Sequence, residues 1–249
     1  MNQIKRKKPI IISLCALLFS SILLQGCSSM RGILLDIEIS GCKVPMDGKI
    51  QKVYDNGLVL CETDGTIVDL ASCEEMKGRN YSLESLHIGV PTSDGKKAVP
   101  SCMIVYVYND SLSSQPLENC KIYQMTVSDG LGNSDEVSIT VNGKDIFQTE
   151  PSEFLAHLEE LGIAFDEDEK TKFLESSTGE YITRRQGSYM YGLHSGKEEV
   201  SRPDGDDFYD SDGNFDQEAY DAACKEVEDS AGLVVTEFKF EKLIEKSYN

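Results

Sequence analysis

Residues 102–108 read Cys102-Met103-Ile104-Val105-Tyr106-Val107-Tyr108. The run is uninterrupted, rich in β-branched and aromatic side chains, and too short for a buried helix, so it reads as a strand. A polar loop, Asn109–Asn119, follows, and Cys120–Val127 returns as the partner strand. An antiparallel pair near the middle of the chain makes a sheet the organising element.

Working toward the N-terminus, Leu83–Val90 supplies another strand, and Lys49–Leu70 reads as a meander. Its segments, 49–54, 57–61 and 66–70, are separated by Asp55-Asn56-Gly57 and Thr63-Asp64-Gly65, both strong hairpin signals. Alternation over Ile33–Ile39 predicts a further strand. Toward the C-terminus, Val137–Val141 is a strand turned by Asn142-Gly143. A helix is predicted over Pro151–Leu161, with Thr149 as N-cap, Gly162 as stop, and Phe154, Leu155, Leu158 and Leu161 on one face. Residues 166–174 form a short acidic helix. Tyr181–Arg184 and Ser188–Leu193 make a hairpin around Gln186-Gly187. Lys197–Asp212 is a charged loop. A second long helix, Gln217–Ser230, is capped by Asp216, carries a buried stripe of Tyr220, Ala223, Cys224 and Val227, and stops at Gly232. Leu233–Phe240 is the closing strand.

Strands outnumber helices and do not alternate with them as βαβ units. The expected class is α+β: a mainly antiparallel sheet with two or three packed helices, after an N-terminal signal helix. Ser128–Ser134 is the best boundary, dividing a β-rich module at 32–128 from an α+β module at 135–249, with one continuous domain over 32–249 as the alternative.

The first 26 residues carry an address. Lys5, Arg6, Lys7 and Lys8 precede an apolar run from Pro9 to Leu24 that is short for a membrane span. The exit, Leu24-Gln25-Gly26-Cys27, resembles the lipobox of bacterial lipoproteins. The resemblance implies diacylglycerol on Cys27, cleavage before it, and a lipidated tether at 27–31. Two acyl chains anchor firmly where one does not. The expected location is the cell membrane, lipid-anchored and facing the extracytoplasmic side.

The chain has 249 residues, a net charge of −19 and 40% hydrophobic residues. The charge excludes a nucleic-acid partner, because a polyanion is repelled. Past the signal and Cys27, six cysteines remain: Cys42, Cys61, Cys73, Cys102, Cys120 and Cys224. Their even number outside the cytoplasm fits disulfides, and their apolar contexts fit buried thiols. No C-x-x-C occurs, so neither a redox motif nor a zinc knuckle is supported.

From Cys102 onward the chain resembles uncharacterised lipoproteins of gut Clostridia-type Firmicutes. The matching stretches include Tyr108-Asn109-Asp110, Cys120-Lys121-Ile122, Ile139–Asp145, Gly187–Tyr191 and Gly232–Thr236. The likeness implies a location and no activity. A second likeness is to small outer-membrane-assembly lipoproteins and β-lactamase-inhibitor-like domains. It rests on Glu153, Leu158, Leu161 and Gly162, departs at Ile163 where those proteins carry Pro, and implies a fold feature alone.

The chemistry-bearing residues are few. His87, His157 and His194 have no partner at ligand spacing, and no Gly-x-Ser-x-Gly elbow is present. A hydrolase would need one of them beside a carboxylate in a pocket. Asp204, Asp206, Asp207, Asp210, Asp212, Asn214 and Asp216 crowd one loop, a composition that suits weak extracellular calcium binding. EF-hand spacing around Gly213 fails at Phe208 and Ala219. With no Trp, carbohydrate binding would fall to Tyr181, Tyr189 and Tyr191, for which cross-strand packing is the plainer role. The expectation is a non-enzymatic, lipid-anchored domain that binds another envelope protein or an envelope component. The alternative is an accessory cation- or solute-binding lipoprotein using loop 204–216, with calcium as its cation; otherwise no cofactor is expected beyond the covalent diacylglycerol on Cys27.

Overall fold

A computed structural model of the chain describes residues 32–82, 85–131, 137–176, 179–198, 200–209 and 213–244. The signal segment 1–26, the lipobox residues Leu24, Gln25, Gly26 and Cys27, the tether at 27–31, and Asp210 and Asp212 lie outside the described residues.

The central pair forms as its residues dictate. Strand β5 (Ala98–Tyr108) pairs antiparallel with β6 (Lys121–Ser128), with Met103 opposite Val127 and Val105 opposite Met125. These four side chains are buried, so one face of the pair is core. The register shifts between Tyr106 and Val107: Tyr106 faces Gln124, Val107 faces Ile122, and Tyr123 is left as the extra residue of a β-bulge.

Around this pair grows a seven-stranded antiparallel sheet. Strands β3 (Val59–Cys61) and β4 (Leu86–Pro91) extend it on one side. On the other side lie β11 (Leu233–Lys242), β10 (Tyr189–Lys197) and β9 (Tyr181–Gln186). The order is β3-β4-β5-β6-β11-β10-β9. A second sheet of four short strands has the order β2-β1-β7-β8, built from β1 (Ile37–Ile39), β2 (Cys42–Val44), β7 (Ile139–Val141) and β8 (Lys144–Asp145). Asn142 and Gly143 both have positive φ and close the β7–β8 hairpin. Both sheets therefore take strands from each side of residues 128–134, and buried residues of both halves join one core cluster.

Four helices complete the described residues: α1 (Gln51–Asp55), α2 (Pro151–Glu160), α3 (Glu167–Glu175) and α4 (Gln217–Ser230). The fold is α+β, with helices α2 and α3 set against the large antiparallel sheet. Helix α2 buries Phe154, Leu155 and Leu158, and the Phe154 ring meets Phe238 of β11 edge-on, centroids 6.2 Å apart. Asp166 caps α3 by accepting from the Asp168 and Glu169 amides, and Asp216 caps α4 by accepting from Ala219.

Several local expectations change. The segment at 49–54 contributes α1 rather than a strand, because Ile50 and Val53, three apart and both fully buried, follow helical spacing. Of 66–70, Thr66 and Ile67 make isolated bridges and no continuous strand. The strand expected at 33–39 shortens to its last three residues. Thr149 does not cap α2; its hydroxyl donates to the Asp145 carbonyl, and Glu150 takes the cap position without a side-chain bond. The stripe of α4 falls at the expected positions, but none of its residues is fully buried.

Candidate functional site

The carboxyl end of β5 carries the richest collection of polar chemistry. Residues 79–82 run alongside it, joined by one isolated bridge and backbone hydrogen bonds. Ser82 and Val107 bond through their backbones, the Asn109 amide donates to the Asn80 carbonyl, and the Arg79 amide donates to the Ser111 carbonyl. Ser82 Oγ also accepts from the Val107 amide at 2.9 Å. Tyr81 is thereby bridged to Tyr108.

Asn109 holds this segment from within. It is 1% exposed, and its side chain is fully engaged. Nδ2 donates to the carbonyls of Met76 (2.8 Å) and Ser113 (2.9 Å), and Oδ1 accepts from the Ser111 amide (3.0 Å) and hydroxyl (2.8 Å). A buried amide with all its bonds made pins two loops to each other.

The result is a cleft with two adjoining hollows. The first, about 230 Å³, is lined by Asp47, Arg79, Tyr108, Asp110, Lys121 and Lys242, with apolar support from Ile122, Leu243 and Ile244. The second, about 330 Å³, is lined by Tyr81, Ser82, Gln124 and Glu241, and shares Tyr123, Lys242 and Ile244 with the first. The sharing residue Tyr123 is the one the β-bulge pushes out of register, a common use of bulges beside binding sites. Tyr81 sits between two other rings: Tyr108 at 4.8 Å, tilted, and Tyr123 at 5.2 Å, edge-on.

Two ion pairs order the charges. Lys242 Nζ donates to both Asp47 oxygens at 2.7 Å, and Tyr189 Oη donates to Asp47 Oδ2 at 3.0 Å. Lys121 pairs with Asp110 at 2.6 Å. The Lys121 ammonium bonds to the Asp110 carboxyl and holds it below the usual carboxylate range, and the carboxylate raises the lysine in turn. Arg79 is the third cation. Its Nη1 donates to Tyr108 Oη at 3.4 Å, and among the described residues it pairs with no carboxylate. Arg79 and Asp47 also have left-handed backbones, φ 59° and 52°, a conformation that non-glycine residues rarely adopt.

The residues singled out from sequence fall elsewhere. His87 Nδ1 lies 3.2 Å from the Ser101 carbonyl, His157 Nε2 lies 2.9 Å from the Val141 carbonyl, and His194 Nδ1 lies 2.7 Å from Thr236 Oγ1. These are structural hydrogen bonds, and none of the three lines either hollow of the cleft. In the acidic loop, Asp204 accepts from the Asp206 amide and Asp216 caps α4, while Asp206 and Asp207 face solvent. Among the described residues, no three His, Cys, Asp or Glu side chains converge to hold a metal ion. Beside the loop sits an aromatic group of Phe208, Tyr209, Phe215 and Tyr220.

Tyr189 and Tyr191 are buried, and the Tyr191 hydroxyl donates to the Ile33 carbonyl. Tyr181 lies over Gly192, next to His194. Of the six cysteines, Cys61, Cys102 and Cys120 are buried and Cys42, Cys73 and Cys224 are half-buried. Burial pushes Cys61 and Cys120 up to about 11. Among the described residues, no helix is long and apolar enough to cross a membrane.

Sequence reading missed the cleft because its parts come from four separated segments: Asp47, residues 79–82, residues 106–123 and Lys242. One signal was present. Four of the eleven tyrosines fall between positions 81 and 123, three of them on the two strands read most securely. Compared with known protein families, with curated proteins and with solved structures, the chain matches none.

Proposed function

We propose that the chain is a lipid-anchored extracytoplasmic protein, tethered by diacylglycerol on Cys27, whose folded part is a non-enzymatic binding domain for an envelope component. The observation that carries this reading is the cleft around Arg79. It combines a cation free of carboxylate partners among the described residues, a tyrosine wall and a framework of paired charges. This is the equipment of recognition: convergent charged and polar groups set beside tyrosine rings and the apolar side chains Ile122, Leu243 and Ile244. Among the described residues it holds no histidine or cysteine, and its carboxylates Asp47, Asp110 and Glu241 are each engaged by a lysine. The sequence Leu24-Gln25-Gly26-Cys27 supports the anchor.

Two measurements on intact cells test the reading. Wild-type protein fractionates with membrane, and Cys27→Ser releases it. Crosslinking in cells, followed by mass spectrometry, recovers envelope material with the wild type and loses it with Arg79→Gln, while the melting temperature of the variant is unchanged. A Cys27→Ser protein that stays with the membrane removes the anchor. Crosslinked material indifferent to Arg79 removes the cleft as the binding site.

A further inference from the structure

Resting on the reading of the cleft as a binding site, we infer that its ligand is an acidic saccharide: a sugar ring bearing one carboxylate, bound with the carboxylate on Arg79 and the ring against Tyr81 and Tyr123. Charge gives the first reason. In a chain of net charge −19, three cations meet at one hollow. Among the described residues, Asp47 and Asp110 each bond to one lysine and Arg79 bonds to no carboxylate, which leaves the guanidinium to take a negative charge from a ligand. A guanidinium fork takes a carboxylate through two parallel hydrogen bonds, which a lysine cannot imitate. The Arg79 backbone is bonded to Ser111 and its Nη1 donates to the Tyr108 hydroxyl at 3.4 Å, while the rest of the exposed guanidinium is open to a ligand.

The second hollow gives the rest of the ligand. A pyranose has an apolar C–H face and a rim of hydroxyls. Tyr123 lines both hollows and Tyr81 lines the second beside it, so the two rings offer apolar surface to the C–H face. Ser82, Gln124 and Glu241 line the same hollow and offer donors and acceptors together, as a hydroxyl rim requires. The hollows, about 230 and 330 Å³, suit one or two sugar rings.

Topology argues against a peptide. Recognition of an extended peptide draws on the free backbone groups of a sheet edge. Here β5, β6 and β11 are interior strands, each hydrogen-bonded on both sides, and the outer margin of the cleft is already taken by residues 79–82.

The test uses the full chain, purified in detergent micelles, and isothermal titration calorimetry. The probes are digalacturonate, its neutral dimethyl ester, inorganic phosphate and an acetylated dipeptide with a free carboxyl terminus. Digalacturonate is expected to bind at least tenfold more tightly than the ester. Arg79→Gln is expected to erase that preference, and Tyr123→Ala to weaken both sugars, with thermal melting confirming that each variant is folded. The inference is overturned if the acid and the ester bind alike, if phosphate or the dipeptide binds while digalacturonate does not, or if no probe binds at millimolar concentration. Should Arg79-dependent crosslinking persist in cells while both sugars fail, the saccharide falls and the binding domain stands. Should digalacturonate bind through Arg79 while crosslinking ignores it, the saccharide stands and the envelope-binding reading falls.

Discussion

Removing the Asn109 side chain with Asn109→Ala tests the architecture beneath the cleft. Four hydrogen bonds disappear, two donated to Met76 and Ser113 and two accepted from Ser111. Each is worth about 0.5–1.5 kcal/mol net, with a further penalty for any partner left buried and unpaired. Ser113 is exposed and recovers water, so the cost falls toward the lower part of that range, about 2–3 kcal/mol in total. For a domain of this length, each kcal/mol moves the midpoint by about 2–4 °C, so the expected drop is about 4–12 °C. Circular dichroism melting measures it. Native-state hydrogen exchange gives the local reading: the Arg79 and Asn109 amides, bonded to Ser111 and Asn80, lose protection, while the Met103 and Val105 amides of β5 keep theirs. A midpoint within about 2 °C of wild type, or unchanged protection at Arg79, would refute the claim that Asn109 holds the Arg79 segment in place.

Further outcomes follow from the same structure. Phe154→Ala opens a cavity between α2 and β11 and is expected to cost about 3–5 kcal/mol in urea unfolding; a loss below about 1 kcal/mol would mean the ring is not part of the core. Asp64 is held down to about 2 by bonds from Thr66 and the Lys97 ammonium. Because its folded value is depressed, its stabilisation is present above the ordinary value of 3.8 and is lost as pH falls through about 2. Asp64→Asn should therefore flatten the stability profile in that window, and an unaltered acid limb would contradict the assignment. Iodoacetamide at pH 7.5 should label the partly exposed Cys42, Cys73 and Cys224 well before the buried Cys61, Cys102 and Cys120, as peptide mass mapping would read; equal labelling would show that the core opens on the timescale of the reaction.

The backbone plan was legible where side-chain pattern and backbone state answer to the same residues. The run at 102–108, the Asn142-Gly143 turn and the Asp216-capped helix are local statements, and each formed. The helix at Gln51–Asp55 was misread because Lys49–Tyr54 contains one apolar pair, Ile50 and Val53, whose spacing outweighs the turn signals around it. The depth of burial of α4 was misread for another reason. Periodicity marks which face turns inward and says nothing of how much protein lies beneath it. The cleft depended on long-range pairing: Lys242 meets Asp47 across 195 residues, and a register shift at Tyr106 selects Tyr123. Neither leaves a trace in local sequence.

The position of β11 has a consequence for how the chain is made. It follows every other strand in sequence, yet it lies between β6 and β10 near the middle of the large sheet. Until β11 is in place, β3–β6 and the β9–β10 hairpin are two separate pieces, each presenting an open edge where β11 will later sit. Open edges pair readily with other chains. The sheet closes when residues 233–242 insert between the pieces, and the same insertion delivers Lys242 to Asp47. Completion of the cleft is thus the last event of sheet assembly, and a nascent chain that stops short of Lys242 is both unfinished and exposed to aggregation.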